Sequence, residues 1–231
     1  MKVFAISDLH LCISGAKPME IFGDGWSNYQ EKIKQDWNNK VEDDDVVLIS
    51  GDISWAMKME EAVEDLAYFK DLKGKKVFIR GNHDYWWQAI STVRQNLPKD
   101  CFAVQNDAIK IGNCIFCGTR GWAVPEDDIL SEDDRKIYKR ELIRLDMSLS
   151  AAKRLYEEGD KIICMLHFPP INCNKEYNEM VKLLNDYQVS TCVFGHIHSH
   201  IGKYKIYENI FDIDFYLTSC DLLKNSLIQI Y

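Results

Sequence analysis

The chain has 231 residues, a formal net charge of −8 and 46% hydrophobic residues, which is enough apolar material for a substantial core and excludes a largely disordered protein. The acidic balance, without a block of lysine and arginine, argues against nucleic acid as a partner, because sequence-independent binding depends on neutralising phosphates. No apolar run approaches membrane-spanning length, the N terminus does not resemble a secretory signal, and the eight scattered cysteines are typical of reduced thiols. We therefore expect a cytoplasmic protein with no membrane partner.

Five short apolar runs predict buried strands, because they are rich in β-branched residues. They cover residues 3–6, 46–49, 77–79, 162–166 and 192–194. Helical spacing predicts helices over 27–39, with Ser27 as the N-terminal cap, and over 58–72, 85–97, 135–158 and 175–187. Short strands are expected over 101–118 and alternating strands over 201–231. This order predicts one α/β domain over residues 1–231, with two sheets or one sheet extended by antiparallel strands.

Each of the five predicted strands is followed by a polar motif. The motifs are Asp8-Leu9-His10, Gly51-Asp52, Gly81-Asn82-His83-Asp84, His167 and Gly195-His196-Ile197-His198. In α/β sheets, functional groups gather beyond the carboxyl ends of strands. Carboxylates, imidazoles and an amide are ligands that suit divalent first-row ions. The motifs contain no cysteine, which disfavours a structural zinc site built from thiolates. The seven candidate ligands exceed the needs of one ion and predict a dinuclear centre: Asp8, His10, Asp52, Asn82, His167, His196 and His198.

Two neighbouring divalent ions suit hydrolysis of phosphate esters, because they can hold a bridging hydroxide as nucleophile and stabilise an in-line displacement at phosphorus. Asp8-x-His10 and His196-x-His198 have the spacing of side chains that point the same way along an extended chain. A single histidine after a strand is usually only packed or hydrogen-bonded. All six histidines, however, lie in these motifs or, for His200, two residues beyond them. The pair Cys114 and Cys117 has zinc spacing, but no second pair completes a site, so we expect it in the core.

In their order, these motifs resemble the calcineurin-like metallophosphoesterase superfamily, and the resemblance runs from Asp8 to His198. It implies a four-layer α/β/β/α sandwich with two mixed β-sheets and a two-metal site at one sheet edge. It also implies two ligand sets and a bridge: Asp8, His10 and His198 for one ion, Asn82, His167 and His196 for the other, and Asp52 between them. By the same resemblance, His83 contacts the phosphate and protonates the leaving oxygen, and Asp84 orients its imidazole.

The chain departs from the family pattern in one motif. Many members have Gly-Asp-x-x-Asp, but Trp55 occupies the second acidic position here. The metal ligands are retained, so catalysis is expected to be retained as well. The contacts that the second carboxylate makes in other members are expected to be absent. Lipid-precursor pyrophosphatases of the superfamily often have arginine at the position of His83, which makes that activity a poorer match.

Substrate residues are predicted from aromatic and basic side chains near the motifs. We expect at least one aromatic side chain in the pocket, with Trp55, Trp86 and Trp122 as candidates. We expect Arg120 either to bind the phosphate of the substrate or to form an ion pair at the surface. The expected substrate is a small phosphomonoester or phosphodiester, with a nucleotide among the options, and the two ions are manganese, iron, zinc or nickel. A metal-dependent nuclease and a binding-only scaffold that keeps the metal site remain alternatives. The charged segment 126–158 is read as an acidic loop followed by a solvated helix.

Overall fold

Helices separate many of the strands, but strands also follow one another directly, as over residues 101–119. The structure is a computed structural model that describes residues 1–15, 17–125, 131–198 and 204–231. Over these residues the strands are β1 (Val3–Ile6), β2 (Val46–Ile49), β3 (Lys75–Phe78), β4 (Cys101–Ala103), β5 (Ala108–Ile111), β6 (Cys114–Thr119), β7 (Lys161–Leu166), β8 (Thr191–Phe194), β9 (Tyr207–Ile210), β10 (Ile213–Leu217) and β11 (Ile228–Gln229). The helices are α1 (Tyr29–Lys40), α2 (Met59–Leu66), α3 (Ile90–Asn96), α4 (Glu132–Leu155) and α5 (Glu179–Asp186).

The strands form two mixed sheets. The first has the order β11-β1-β2-β3-β4, with β1 to β4 parallel and β11 antiparallel to β1. The second has the order β5-β6-β7-β8-β10-β9, with β6, β7, β8 and β10 parallel and antiparallel strands at both edges. Because parallel neighbours end at the same edge, this topology brings the polar motifs of each sheet together.

The two sheets pack face to face. Val3, Leu48 and Val77 of the first sheet meet Phe116 and Met165 of the second in a buried apolar layer. The alternate strand residues face outward and pack against helices, α1 and α2 on the first sheet and α4 and α5 on the second. These layers confirm the expected α/β/β/α sandwich. Among the helices that the described residues form, none is both long enough and apolar enough to cross a bilayer.

Several predicted helix ends were wrong. Helix α1 begins at Tyr29, and its cap position is Asn28 in the left-handed conformation, so Ser27 is not the cap. Helix α3 begins only at Ile90, because residues 85–86 form a turn, in which the indole of Trp86 hydrogen-bonds to Asp84 at 3.0 Å, and residues 87–89 are irregular. The turn is held by this buried polar contact, which helical periodicity does not reveal.

Helix α4 is more than a solvated surface helix. Tyr138, Leu145 and Leu149 are buried against the second sheet, and the fully buried Glu141 accepts a hydrogen bond from Thr119 at 2.9 Å. Residues 126–130 of the predicted acidic loop, His200 and residues 201–203 of the predicted closing strands lie outside the described part of the chain.

The cysteine pair of β6 belongs to the core, as expected. Cys114 faces the layer between the sheets, whereas Cys117 faces the helix layer. Residues three apart on a strand point to opposite faces, so this pair cannot close on one ion.

Candidate metal centre

The candidate ligands converge where the carboxyl ends of the two sheets meet. Contacts between the sheets fix this meeting point. The backbone N–H of His196, after β8, donates to the Asp8 carboxylate at 3.1 Å, and the imidazole Nδ1 of His167, after β7, lies 2.9 Å from the Ser50 carbonyl. Residues far apart in sequence therefore share one buried site.

Asp8, His10 and His198 form one group of ligand atoms, all within 4.8 Å of one another. The His198 Nε2 lies 3.6 Å from Asp8 Oδ1, and its Nδ1 lies 3.0 Å from the carboxylate of Asp221. A carboxylate on the far nitrogen of a ligating histidine fixes the ring and its tautomer. Asp221 therefore presents the Nε2 of His198 to the site.

Asp8, Asp52 and His167 form a second group within the same distance limit, so Asp8 belongs to both groups. The Asn82 side-chain oxygen lies 2.7 Å from His167 Nε2 and 2.9 Å from His196 Nδ1. Asp52 points its Oδ2 towards His167 Nε2 at 3.4 Å and towards His10 Nε2 at 3.8 Å. The structure thus brings all seven predicted ligands together, with Asp8 in both groups and Asp52 close to a histidine of each.

The ligand loops have a strained backbone. Asp8, His10, Asp52 and His196 all have positive φ, between 44° and 68°. Each such residue typically costs on the order of 1 kcal/mol, and such strain persists where the surroundings hold it in place, often at functional sites. The expectation that Asp8-x-His10 and His196-x-His198 run as extended chain was wrong, because the chain turns sharply after each strand.

Two glycines allow the loops to approach one another. A Cβ on Gly81 would lie 2.1 Å from an Asp52 carboxylate oxygen, and a Cβ on Gly195 would lie 2.4 Å from an Asp8 carboxylate oxygen. No side chain fits at either position without displacing a candidate ligand. These glycines therefore set the separation of the ligand loops.

The electrostatics of the cluster suit cations. Burial lowers the pKa of His10 to about 3, and burial together with the charge of His167 lowers the pKa of His196 to about 4, so both are neutral imidazoles. Burial acts in the same direction on His167, but Asp52 and Asp8 outweigh it and raise its pKa to about 9. A proton on His167 therefore offsets negative charge at Asp52, whose carboxylate lies 3.4 Å from the His167 Nε2.

These residues fit divalent metal ions. Asp8 and Asp52 are almost completely buried, and buried carboxylates need compensating positive charge. The His10 Nδ1 is buried without a hydrogen-bond partner among the described residues. Neutral imidazoles, carboxylates and an amide oxygen form a mixed nitrogen and oxygen set that several first-row divalent ions accept.

Asp84 does not have the predicted role. Its carboxylate accepts hydrogen bonds from the backbone N–H groups of Ile53, Ser54 and Gly81, and a fourth from the Trp86 indole. The imidazole Nδ1 of His83 is buried without a partner among the described residues. The expectation that Asp84 orients the His83 imidazole was therefore wrong. The carboxylate instead ties the loop after β2 to the loop after β3.

His83 lies in a cavity beside the ligands. The cavity has a volume of about 320 Å³ and is lined by His10, Met19, Phe22, Trp26, Trp55, His83, His198 and Asp221. Trp55 stacks on His10, with ring centroids 4.6 Å apart, and its ring lies 4.8 Å from that of His83. The residue that replaces the family's second carboxylate is thus an aromatic wall of this cavity.

The other predicted substrate residues lie elsewhere. Trp86 is 1% exposed and its indole is bound to Asp84, so it was wrongly assigned to the pocket. Its apolar ring is needed in the core beneath the loop. Trp122 packs on Phe168 at 4.9 Å, and the Arg120 guanidinium lies over its ring at 4.8 Å. Phe168 in turn lies 4.0 Å from the ring of His196, so Trp122 and Arg120 flank the centre on a different side from Trp55.

Sequence reasoning missed several residues of the site. Asp221 follows β10, and the rule that polar groups follow strands identifies it in retrospect. Met19, Phe22 and Trp26 lie in the segment between β1 and α1, where no periodic pattern marks them as cavity residues. Arg80 directly precedes the Gly81 motif and lines a second cavity together with Arg120.

The fold has two facing β-sheets covered by helices, and a cluster of carboxylates, imidazoles and an amide lies at their shared edge. These features define a class of metal-dependent phosphohydrolases. A model of the calcineurin-like phosphoesterase family matches residues 1–200. The chain therefore belongs to the calcineurin-like phosphoesterase family, and the resemblance of its motifs is confirmed.

One further protein is similar to part of this chain in sequence, and two solved structures share its fold. An uncharacterized protein of Methanocaldococcus jannaschii is 32% identical over 98 residues, which cover 41% of this chain and 53% of that protein, so the match spans about half the length of this relative. A phosphopantetheinyl hydrolase from Mycobacterium tuberculosis is similar in structure, with a TM-score of 0.57 and 13% identity over 99% of this chain and 95% of that one. A protein of unknown function from Aquifex aeolicus has a TM-score of 0.53 and 12% identity over the same shares.

Proposed function

We propose that this chain hydrolyses a small phosphate monoester or diester with two divalent metal ions, that His83 protonates the leaving oxygen, and that the leaving group occupies the cavity beside Trp55. The observation that carries the proposal is the convergence of seven nitrogen and oxygen ligands at one buried edge. The proposed ligands are Asp8, His10, Asp52, Asn82, His167, His196 and His198. When bound, divalent ions lower the pKa of a coordinated water and stabilise charge on the phosphoryl oxygens.

The residues around the ligands support binding of two ions. Asp8 is shared by two groups of ligand atoms, and Asp52 approaches histidines of both. Two carboxylates between the groups supply the negative charge that two neighbouring dications need. The hydrogen bond from His167 to the Ser50 carbonyl directs the other ring nitrogen towards Asp52 and Asn82. The ligands are thus oriented before any ion binds.

His83 is the proposed general acid. Its ring lies in the cavity, 5.7 Å from the ring of His10, and its backbone N–H donates to Asp52 at 2.8 Å. The backbone bond holds the residue beside the metal ligands, while the imidazole is free of hydrogen bonds to the described residues. An alkoxide leaving group needs a proton, and this imidazole is the titratable cavity group that is not a candidate ligand or bonded to one.

The shape of the cavity favours a flat or apolar leaving group. Met19, Phe22, Trp26 and Trp55 provide its walls, and flat groups stack on aromatic rings. The polar groups of the cavity are the candidate ligands His10 and His198, together with His83 and Asp221, and the rest of its lining is apolar. We therefore propose an aryl, nucleobase-bearing or similarly apolar ester.

The test is turnover of bis(4-nitrophenyl) phosphate and 4-nitrophenyl phosphate by protein loaded in turn with manganese, iron, zinc or nickel, with metal content measured on the same samples. We expect metal-dependent release of nitrophenolate and about two ions per chain. Asp52→Ala is expected to lose metal and turnover together. Tight binding of two ions without turnover of either ester would instead support the binding-only scaffold.

A further inference from the structure

A second cavity beside the metal centre is lined by arginines. It has a volume of about 220 Å³, and its charged residues are Arg80, Arg120, Arg140 and Arg144. Uncharged polar side chains of Gln105, Asn106 and Thr119 complete much of the lining. Four guanidinium groups around one concave site repel one another, so such a site is stabilised by an anion.

The described residues provide too few carboxylates to neutralise these arginines. Glu141 pairs with Arg144 at 2.6 Å, and its other oxygen accepts hydrogen bonds from Thr119 and Gly121. In the described part of the chain, no carboxylate forms an ion pair with Arg80, Arg120 or Arg140. Asp107, beside the cavity, pairs with Arg94 instead, at 2.5 Å. Three guanidinium groups are therefore left without an ion pair among the described residues.

Two of the arginines have unsatisfied buried donors. The Nε atoms of Arg80 and Arg120 are buried and have no hydrogen-bond partner among the described residues. Burial lowers the pKa of Arg120, and the charges of Arg80, Arg144 and Arg140 lower it further against the opposing charge of Glu141. A buried donor without a partner typically costs 1–3 kcal/mol, so an anion that accepts these N–H groups would stabilise the site.

The arginine cavity is joined to the metal centre through the backbone. Arg80 lies two residues before Asn82, and the Arg120 carbonyl accepts the backbone N–H of His167 at 3.0 Å. Arg80 follows β3 and Arg120 follows β6, whereas the aromatic walls of the cavity beside Trp55 come from residues after β1 and β2, and its polar residues His83, His198 and Asp221 follow β3, β8 and β10. In the second sheet, the candidate ligands after β7 and β8 lie between Arg120, after β6, and Asp221, after β10. This order places candidate ligands between residues of the two cavities, as a substrate that contacts both would require.

We propose that the arginine cavity binds a second phosphoryl-type oxyanion carried by the substrate, so that the preferred substrate has one phosphate cleaved at the metal centre and another anionic group held by Arg80, Arg120 and Arg140. This inference rests on the proposed function, because it describes the substrate of the same centre. Guanidinium groups bind phosphoryl oxygens through paired charge-assisted hydrogen bonds, which gives this cavity its selectivity for oxyanions.

The test compares two esters with the same leaving group: the 4-nitrophenyl ester of thymidine 5′-monophosphate, and the same ester with an added 3′-phosphate. We expect the metal-loaded protein to show a KM about tenfold lower for the bisphosphorylated ester, and Arg140→Gln and Arg120→Gln to remove most of that preference. Arg140 is exposed on α4, so its replacement leaves the core intact. The matched control is Arg154→Gln, which removes an exposed arginine near the other end of α4 and is expected to keep the preference.

Binding of inorganic phosphate provides a readout that does not need turnover. By calorimetry at low ionic strength, we expect two phosphate sites on the metal-loaded protein and one on Arg140→Gln. If no ester is hydrolysed, the proposed function fails and this stoichiometry alone decides whether the cavity binds an oxyanion. Equal KM values for the two esters, or a preference that survives both arginine substitutions, would overturn the inference. A phosphate site lost in Arg140→Gln without any ester preference would overturn the assignment to substrate, because the cavity would then hold a free anion.

Discussion

Replacing His83 by alanine separates proton delivery from metal binding. The imidazole makes no hydrogen bond to a described residue through its buried Nδ1, and the contact that ties His83 to Asp52 comes from its backbone N–H, which alanine retains. His83→Ala is therefore expected to fold and to keep its metal content. The substitution is expected to slow the step in which the leaving oxygen takes up a proton.

The size of this loss depends on the leaving group. General acid catalysis typically contributes about 10²- to 10⁴-fold, and an alkoxide leaving group needs all of it. A nitrophenolate leaves without a proton, so the loss of kcat for nitrophenyl esters is expected to stay within about tenfold. We therefore expect His83→Ala to lower kcat by about 10²- to 10⁴-fold for alkyl esters and far less for nitrophenyl esters.

The assay measures kcat over a series of phosphate esters whose leaving groups differ in pKa, with metal content determined for each protein. The dependence of rate on leaving-group pKa should become steeper in His83→Ala. Gln88→Ala, which changes an exposed side chain on the same loop, is the matched control. An equal loss for all leaving groups, or a loss of metal in His83→Ala, would refute the assignment.

Three further predictions concern other residues of the site. Asp84→Ala leaves four buried donors without their acceptor, so it is expected to lower the free energy of unfolding by about 3 kcal/mol, and a thermal midpoint no lower than that of His83→Ala would contradict this. Trp55→Ala removes the ring stacked on His10 and is expected to raise KM for nitrophenyl esters up to about tenfold with metal content unchanged, whereas an unchanged KM would remove Trp55 from the substrate site. Because the pKa of His167 is raised to about 9 without metal, metal binding at pH 7.5 should release close to one proton from this residue, and this release should vanish well above pH 9. Calorimetry in buffers of different ionisation enthalpy measures the number of protons released. A proton release that does not depend on pH would contradict the prediction.

Much of the fold follows from local pattern. The β-branched runs were predicted as strands because a strand buried on both faces requires a nearly continuous apolar sequence, and β1, β2, β7 and β8 lie where those runs occur. Helix boundaries were less well predicted. Helix α3 is shortened by a turn in which the Trp86 indole bonds to Asp84, whose carboxylate also accepts the backbone N–H groups of Ile53 and Ser54 from the loop after β2. These tertiary contacts of Asp84 leave no periodic trace in the sequence.

The roles of single side chains were predicted unevenly. The candidate ligands are all polar groups directly after strands, and the parallel arrangement of those strands is enough to bring them to one edge. Asp84 looked like the partner of His83 because the two are adjacent in sequence. In the folded chain its carboxylate turns towards four donors from two loops, which adjacency does not reveal.

The sequence by itself determined the family, the seven candidate ligands and their position at strand ends, because each depends on residue type and order along the chain. Only the tertiary structure decided what surrounds those ligands. The aromatic cavity joins residues after β1, β2, β3, β8 and β10, and the arginine cavity joins residues after β3, β4 and β6 with α4. A cavity is formed by side chains that meet from separate elements, and its shape and charge depend on their packing rather than on any local pattern.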